Sequence, residues 1–326
     1  MRAELRERTK RRSILTDLFF ALPLSGYETV PEALKASRVA SVFSSVASSY
    51  DVMNDLMSGG AHRLWKSSFV DAVLPPTSSS SSLTFSSPQA PSPLVAAGFD
   101  HLDVAGGTGD VAFRILQRMR ELGASPQNCS VTVCDINAEM LREGERKARE
   151  RGLMNDKVDD ENDDEEKPAS SSLDRPSSSQ NTNTNNSQII PLSFVLGDAE
   201  YLPFESESFD SYTIAFGIRN VTRIPAALAD ARRVLKKGGV FACLEFSAVR
   251  APLLKEVYDA YSFEVIPRMG KAVAGDEGSY RYLVESIRKF PGRRRFASMM
   301  REAGFKGVRF ESFAAGAVAL HVGFKI

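Results

Sequence analysis

The sequence has few cysteines, no excess of charge of either sign and no long apolar run. Its three cysteines do not occur at paired spacings, so neither a disulfide framework nor a zinc or other metal site is indicated. This use of cysteine indicates a reducing compartment. Lys and Arg number 41, as do Asp and Glu, so no overall positive field would attract nucleic acid. No apolar segment approaches the ~20 residues that span a bilayer, so the chain can at most lie on a membrane.

Length and composition indicate one large domain with inserts. The 326 residues, 43% of them hydrophobic, suit a globular chain. We expect residues 26–326 to form one domain, interrupted by disordered inserts at 75–93 and 155–187, which are too polar to offset the entropy of ordering them. Residues 1–25 are Arg-rich but contain Glu4 and Glu7, so we interpret them as a targeting or disordered segment.

Between the inserts the chain alternates short apolar strands with amphipathic helices. Strands are predicted at 101–105, 131–136, 193–196, 211–216 and 240–246, with helices at 111–122, 138–151 and 224–235, the last ended by Lys237, Gly238 and Gly239. Residues 304–326 predict two strands joined around Gly316. The pattern indicates a doubly wound, Rossmann-like α/β sheet with an antiparallel C-terminal edge.

The segment LDVAGGTGD, Leu102 to Asp110, is typical of a cofactor loop. Gly107 and Gly109 allow a tight turn and a close approach to a ligand, and the following helix offers free N–H groups to an anionic end. The same residues with Ala112 also fit the dinucleotide fingerprint. A dehydrogenase therefore stays an alternative at this point.

Two carboxylates follow the next strands. Asp135 ends the second strand, where it can accept both hydroxyls of a ribose, and Asp198 ends the third, where it can accept from an adenine amino group. Each has a simpler interpretation: Asp135 could cap the next helix, and Asp198 could hold the turn before Leu202. Together with the glycine loop and VLKKGG they match the class I S-adenosylmethionine-dependent pattern, because ligands bind at successive strand ends in such sheets.

Longer blocks resemble a specific family. The segment from Tyr50 to Lys66, YDVMNDLMSGGAHRLWK, is similar to a block that the C-methyltransferases of ubiquinone and menaquinone biosynthesis carry ahead of an S-adenosylmethionine fold. AFGIRNV, LEFS, YDAYSFEVIPRMG, GSYRYLVESIRKFP and AGAVALHVGFK extend the resemblance from about residue 26 to the end, apart from the inserts. It implies a class I methyltransferase with a seven-stranded sheet.

The resemblance also implies a cofactor, a substrate and a set of ligands. The cofactor would be S-adenosyl-L-methionine, held by the loop glycines, Thr108, Asp135, Asp198 and Ala199. The reaction would be C-methylation of the ring of a polyprenylated methoxy-benzoquinol. Family members often have Ser before FGxRN, whereas this chain has Ala215, so a hydroxyl contact there is absent or made by backbone and weaker binding is expected.

The protein must raise the nucleophilicity of the ring carbon, which deprotonation of the quinol hydroxyl achieves. Arg219 stays protonated, so it suits stabilisation of a phenolate or ordering of a water better than direct proton removal. Tyr280, Asp110 and Glu245 are candidate helpers. Arg219 could instead form a structural salt bridge within the GIRN turn, and His62 and His321 are interpreted as packing residues.

A long isoprenoid tail requires an apolar entrance. One candidate is the 253–269 segment, which could instead mediate self-association into a homodimer. The other is a set of N-terminal apolar residues that could equally belong to the core: Phe43, Met53, Leu56, Met57, Trp65, Phe69 and Val70. The resemblance implies peripheral membrane contact, a multi-subunit ubiquinone-biosynthesis complex and the matrix side of the mitochondrial inner membrane. Another acceptor, such as a demethylmenaquinol or a phenol oxygen, and a non-catalytic scaffold stay open.

Overall fold

The structure, a computed structural model, describes residues 55–74, 97–154, 189–247, 249, 256, 258, 260–275 and 277–326. The predicted N-terminal targeting segment and both predicted inserts lie outside these residues. The predicted domain bounds therefore stay a prediction.

Seven strands form one sheet in the order β3-β2-β1-β4-β5-β7-β6. Their bounds are β1 Phe99–Val104, β2 Cys129–Asp135, β3 Leu192–Leu196, β4 Phe209–Ala215, β5 Leu235–Phe246, β6 Lys306–Phe313 and β7 Val318–Phe324. The first five pair in parallel, whereas β7 pairs antiparallel with both β5 and β6. The predicted Rossmann-like sheet with an antiparallel C-terminal edge is confirmed.

The helices include the three that the sequence predicts, at 111–122, 138–151 and 224–235. Their bounds are α1 His62–Val73, α2 Asp110–Glu121, α3 Ala138–Glu150, α4 Ile224–Val234, α5 Ile266–Ala274, α6 Glu277–Lys289 and α7 Arg293–Glu302. A short π-helix, Tyr261–Val265, precedes α5, and 3₁₀ turns lie at Ile218–Asn220 and Ala314–Gly316. Pro225 lies in the first turn of α4, where proline's missing N–H costs no helical hydrogen bond.

Apolar side chains cover both faces of the sheet. On one face α1, α2 and α3 pack a cluster that includes Phe69, Leu116 and Val133. On the other, α4 and α7 pack a cluster that includes Leu228, Phe296 and Phe241. Central parallel strands buried on both faces explain the continuous apolar runs in the sequence.

The order in which strands are added to the sheet reverses between β1 and β4. β2 and β3 extend from β1 to one side, whereas β4 and β5 extend to the other. The carboxyl ends of these five strands therefore open at one edge, around a topological switch point, which is where open α/β sheets bind ligands.

One boundary differs from the prediction. Lys237, Gly238 and Gly239 were expected to end a helix before a strand beginning at residue 240, but α4 already ends at Val234 and β5 begins at Leu235. The strand accommodates the glycines through a register shift, and Gly238 adopts φ +84° while its N–H donates to the Lys325 carbonyl at 2.7 Å. Pairing with the C-terminal segment, which local propensity does not encode, thus extends the strand.

The described part of the chain has neither a membrane-spanning helix nor a metal-binding cluster. None of its helices has the length and apolar character needed to cross a bilayer. Within the same residues, no group of three or more His, Cys, Asp or Glu side chains is placed to hold a metal ion.

Candidate active site

The loop between β1 and α2 turns through an unusual backbone. Ala105, Gly107 and Gly109 all have positive φ, at 51°, 53° and 83°. At Gly106 a Cβ would lie 2.8 Å from both Asp103 Oδ2 and the Val133 side chain, so only glycine fits there. The positive φ of Ala105 was not predicted, because alanine gives no local signal for it, and such strain is concentrated at functional sites.

This loop forms the floor of a cavity of about 1180 Å³, including the part open to solvent. All the predicted cofactor residues except Gly109 line it; they are Gly107, Thr108, Asp135, Asp198, Ala199 and Ala215. Gly109 instead precedes α2, and its missing Cβ leaves room for the Phe113 ring. The predicted residues therefore gather around one cavity, and Gly109 lies outside its lining.

Asp135 lies at the end of β2 with both oxygens engaged by the backbone. Oδ2 accepts from the Gly107 N–H at 2.9 Å and Oδ1 from the Asn137 N–H at 2.8 Å. Burial raises the pKa of Asp135, and these N–H groups oppose the shift. The helix cap is Asn137, whose Oδ1 accepts from Glu139 and Met140, so the capping alternative for Asp135 does not apply. Each carboxylate oxygen can accept a second hydrogen bond from a ligand hydroxyl.

Asp198 partly fulfils the simpler interpretation. Its Oδ1 accepts from the Glu200 N–H at 2.9 Å and so holds the turn after β3. The N–H of Leu202, however, donates to Asp230 Oδ2 at 2.7 Å. Asp198 is exposed at the mouth of the cavity and beside the buried Ala199, so it can hold the turn and also face a ligand.

Two strained segments meet opposite Asp135. Phe216, just after β4, has φ 55°, and a Cβ on the next residue, Gly217, would lie 2.5 Å from the Ala105 Cβ. The loops after β1 and β4 therefore approach so closely that residue 217 has no room for a side chain. Ala215 lies at this junction and lines the cavity without offering a hydroxyl.

The cavity fits a cofactor that carries positive charge. Asp103, 1% exposed, has an oxygen, Oδ2, with no hydrogen-bond partner among the described residues. Burial raises the pKa of Asp103 to about 7, although the Thr213 hydroxyl bonded to Oδ1 at 2.7 Å opposes the shift. A cationic group nearby would favour the carboxylate. S-adenosyl-L-methionine carries both a sulfonium and an ammonium group.

A second cavity, of about 1460 Å³ on the same basis, adjoins the first. The two share Lys66, Phe216 and Asn220 as lining residues. α1, the 218–220 turn and α6 wall the second cavity, and its aromatic side chains include Trp65, Phe246, Tyr258, Tyr261, Tyr280 and Tyr282. Asn220 Oδ1 is buried without a hydrogen-bond partner among the described residues.

Arg219 lines this second cavity while forming a buried ion pair. Its Nη1 donates to Glu245 Oε1 at 2.9 Å and also to the Phe216 carbonyl, and its backbone N–H donates to Glu245 Oε2 at 3.3 Å. The guanidinium lies over the Phe246 ring at 5.4 Å. Arg219 thus forms a salt bridge, as the alternative interpretation predicts, but its partner, Glu245, lies on β5 rather than within the GIRN turn. Nε still lacks a partner among the described residues.

Tyr280 lies on α6, 5% exposed, and lines the same cavity as Arg219. The ring packs directly on Gly270 of α5, where a Cβ would lie 2.0 Å from Tyr280 Cδ2. This crossing of two helices fixes the position of the ring. The sequence marked Gly270 only as part of a longer block.

Of the other candidate helpers, Glu245 is engaged by Arg219 and Asp110 by Lys66. Lys66 Nζ donates to Asp110 Oδ2 at 2.8 Å, and Arg114 Nε lies 3.4 Å from the other oxygen. Burial favours a raised pKa for Asp110, but Lys66 and Arg114 outweigh it and lower the pKa. Lys66 was missed as a site residue because its burial depends on this contact across 44 positions.

The histidines divide between packing and the site. His321 Nε2 donates to the Arg293 carbonyl at 2.9 Å, and burial lowers the pKa of His321 to about 4. His62 lines the second cavity, and its Nε2 lies 2.8 Å from Asp55 Oδ1. The position of His321 therefore fits the packing interpretation, whereas His62 lies in the wall of the second cavity.

The predicted apolar entrance is split by the fold. Met57 and Trp65 line the second cavity, whereas Phe69 and Val70 belong to the core and Leu56 is exposed. Phe43 and Met53 lie outside the described residues. From the 253–269 segment, Tyr258, Tyr261 and Ile266 reach the cavity.

Known proteins with similar sequences agree with this geometry. The sequence model of the ubiE/COQ5 methyltransferase family matches residues 32–174 and 177–325. The mitochondrial 2-methoxy-6-polyprenyl-1,4-benzoquinol methylase of Arabidopsis thaliana is 44% identical, with 97% of this chain and 94% of the relative covered. The UbiE ubiquinone/menaquinone biosynthesis C-methyltransferase of Paracoccus denitrificans is 46% identical, at 92% and 96%. The human mitochondrial 2-methoxy-6-polyprenyl-1,4-benzoquinol methylase is 42% identical, at 92% and 84%.

The sheet order, the glycine loop and the carboxylates at the strand ends define a class I methyltransferase. The chain belongs to the ubiE/COQ5 methyltransferase family. Its predicted methyl donor, S-adenosyl-L-methionine, is thereby confirmed, and the dehydrogenase alternative is excluded.

Proposed function

We propose that the protein transfers the methyl group of S-adenosyl-L-methionine to a ring carbon of 2-methoxy-6-polyprenyl-1,4-benzoquinol in ubiquinone biosynthesis. The names of its relatives in Arabidopsis thaliana and humans support this substrate. A demethylmenaquinol is the second acceptor, because the Paracoccus denitrificans relative is named for both quinones.

The observation that carries the proposal is the junction of two cavities of different character. One is lined by the glycine loop, Asp135 and Asp198. The other is mainly aromatic and apolar and contains a buried cation, Arg219. Lys66, Phe216 and Asn220 belong to both walls, so a donor and an acceptor bound side by side would meet there. Such positioning supplies much of a transfer reaction's rate.

In the first cavity, the site residues act by binding and orienting. Asp135 would accept the ribose hydroxyls, Asp198 would accept from the adenine amino group, and Ala199 would pack beside the ring. The backbone of Gly107 and the side chain of Thr108 would hold the amino-acid end, with Ala215 at the junction. When bound, the cofactor supplies an activated methyl group on a sulfonium.

In the second cavity, the residues raise the reactivity of the ring. Loss of the hydroxyl proton increases electron density at the ring carbons beside the oxygen, so only the reduced quinol can react. Arg219, held by Glu245 with Nε unpartnered among the described residues, would stabilise the phenolate. Tyr280, fixed against Gly270, would orient the ring. The aromatic walls would exclude water and contact the first part of the tail.

The remaining parts of the proposal concern location and partners. The mitochondrial names of the relatives support a mitochondrial location. Because a polyprenylated substrate lies in a membrane, the proposal includes peripheral contact with the inner membrane from its matrix side. We also propose that the enzyme works within a multi-subunit ubiquinone-biosynthesis complex and can form a homodimer.

The test is methyl transfer from labelled S-adenosyl-L-methionine to a short-tailed 2-methoxy-6-polyprenyl-benzoquinol kept reduced, with mass spectrometry locating the label. We expect label on a ring carbon, dependence on reductant and loss of transfer in Asp135→Ala. Two charge-assisted hydrogen bonds, at about 1.5–3 kcal/mol each, correspond to at least about a hundredfold weaker cofactor binding. Glu139→Gln, an exposed carboxylate at the start of α3, is the matched control and should behave as wild type.

Each contrary result has a distinct meaning. Faster transfer to a demethylmenaquinol than to the methoxy-benzoquinol would assign the other quinone pathway. Label on oxygen would contradict C-methylation. Cofactor binding without transfer to any quinol would favour a scaffold role, and a thermal melt of Asp135→Ala separates lost binding from lost folding.

A further inference from the structure

His62 is held in a fixed orientation at the wall of the second cavity. It is the first residue of α1, its side chain is 11% exposed, and it lines the second cavity. Its Nε2 lies 2.8 Å from Asp55 Oδ1. Arg63 binds both oxygens of the same carboxylate, through Nε at 3.0 Å and Nη2 at 2.6 Å. Asp55 therefore fixes the imidazole from one side.

This contact determines which ring nitrogen carries the proton. Arg63, and then His62, hold the pKa of Asp55 well below its usual range, so Asp55 is a carboxylate and can only accept hydrogen bonds. Nε2 must then be the donor, and in a neutral imidazole Nδ1 is left as the acceptor. Asp–His pairs of this kind orient a basic nitrogen in other enzymes.

Nδ1 is buried and has no hydrogen-bond partner among the described residues. A buried acceptor without a donor costs about 1–3 kcal/mol, so the donor is expected to come from a ligand. The quinol hydroxyl is such a donor. Among the described residues, the other titratable side chains that line this cavity are Lys66, Arg219, Tyr258, Tyr261, Tyr280 and Tyr282, none of which is an acceptor with an ordinary pKa near neutrality.

We propose that His62 is the base that removes the quinol hydroxyl proton, with Asp55 as its positioning residue. The inference rests on the proposed function, and it supplies the proton acceptor that a permanently charged Arg219 cannot provide. The hydroxyl proton passes to Nδ1, and the electron density left on the ring forms the new bond from ring carbon to methyl as the bond from methyl to sulfur breaks. The methylated carbon then loses its ring hydrogen as a proton to water, and His62 returns its proton to the oxygen.

The decisive variant is His62→Gln, which keeps a donor for Asp55 but has no basic nitrogen. A positioned base contributes about 10²–10⁴-fold, so we expect kcat to fall by that factor while cofactor binding is unchanged. The decline of kcat at low pH should disappear with the imidazole. A quinol made more acidic by a ring halogen should recover most of the loss. Asp55→Asn should lower kcat less and keep the low-pH decline.

A readout without methyl transfer uses S-adenosylhomocysteine and a nitro-substituted methoxyphenol, whose phenolate absorbs at longer wavelength. The wild-type protein should bind the phenolate at a pH where the free phenol is neutral, and His62→Gln should bind the neutral form. Ser67→Ala is the matched control on α1, because within the described part of the chain the exposed Ser67 hydroxyl bonds only to the Arg63 carbonyl of the same helix. Thermal melts check that each variant folds.

The outcomes separate this inference from the proposed function. Transfer by the wild-type protein together with a His62→Gln kcat and pH profile within twofold of wild type would overturn the role of His62 alone. Absence of quinol methylation by the wild-type protein would instead overturn the proposed function. In that case ionisation of the bound phenol in wild type but not in His62→Gln would still support a basic Nδ1.

Discussion

Glu245→Gln should destabilise the protein strongly, because it removes the charge that balances Arg219 in the core. Glu245 is 1% exposed and accepts three hydrogen bonds, from Arg219 Nη1 at 2.9 Å, the Arg219 N–H at 3.3 Å and the Phe246 N–H at 2.8 Å. Burial raises the pKa of Glu245 and Arg219 opposes the shift, so the carboxylate depends on the guanidinium. Glutamine keeps the volume but leaves a buried cation without its counter-charge.

Breaking a buried ion pair by removing one partner costs about 3–5 kcal/mol. For a domain of this size that corresponds to a fall in Tm of about 10 °C. The measurement is urea unfolding without cofactor, supported by a thermal melt, with an unchanged m-value to show that the extent of unfolding is the same.

The control is Glu264→Gln. Glu264 forms an ion pair of nearly the same length with Arg268, 2.8 Å, but both side chains are exposed. An exposed pair contributes about 0–1 kcal/mol, so this variant should unfold near the wild-type midpoint. A Glu245→Gln loss no larger than that of Glu264→Gln would refute the reasoning. Replacing Arg219 and Glu245 together by Met and Leu should cost less than Glu245→Gln alone.

Two further variants test the packing and the electrostatics of the site. Gly270→Ala should push the Tyr280 ring out of place, since the new Cβ would lie 2.0 Å from Cδ2, and we expect at least a tenfold higher KM for the quinol with unchanged cofactor affinity by calorimetry; an unchanged KM would contradict this. Asp103→Asn should gain stability relative to wild type as pH rises. Burial raises the pKa of Asp103 from 3.8 to about 7, so its stabilising contribution is complete below pH 4 and lost as pH rises through 7. Urea unfolding at pH 4.5 and pH 8 measures this, and a constant difference between the two proteins would argue against it.

Most of the sheet could be predicted from the sequence because its signals are local. Buried parallel strands are continuous apolar runs, and the helices carry amphipathic periodicity, so boundaries agree to within about two residues. The exception is β5, where backbone pairing of Leu235 with Phe209 of β4, and of Gly238 and Gly239 with Lys325, overrides the helix-stop signal of the two glycines. Such pairing depends on residues far away in the chain.

The lining of the first cavity was predictable for the same reason. The glycine loop, Asp135 and Asp198 each follow a recognisable strand, and the fold brings strand ends together. The lining of the second cavity was not. His62, Lys66 and Asn220 come from different elements, and only tertiary packing gives Lys66 its contact with Asp110 and leaves His62 Nδ1 facing no partner among the described residues.

The central claim is that the two adjoining cavities bind donor and acceptor side by side. A crystal structure with S-adenosylhomocysteine and a short-tailed reduced quinol, or a redox-stable phenol analogue, tests it most directly. We expect the nucleoside beside Asp135 and Asp198, and the ring in the second cavity with a hydroxyl between His62 and Arg219 and a ring carbon turned towards the sulfur. A ring bound outside that cavity, or separated from the sulfur by the wall at Phe216 and Asn220, would contradict the account.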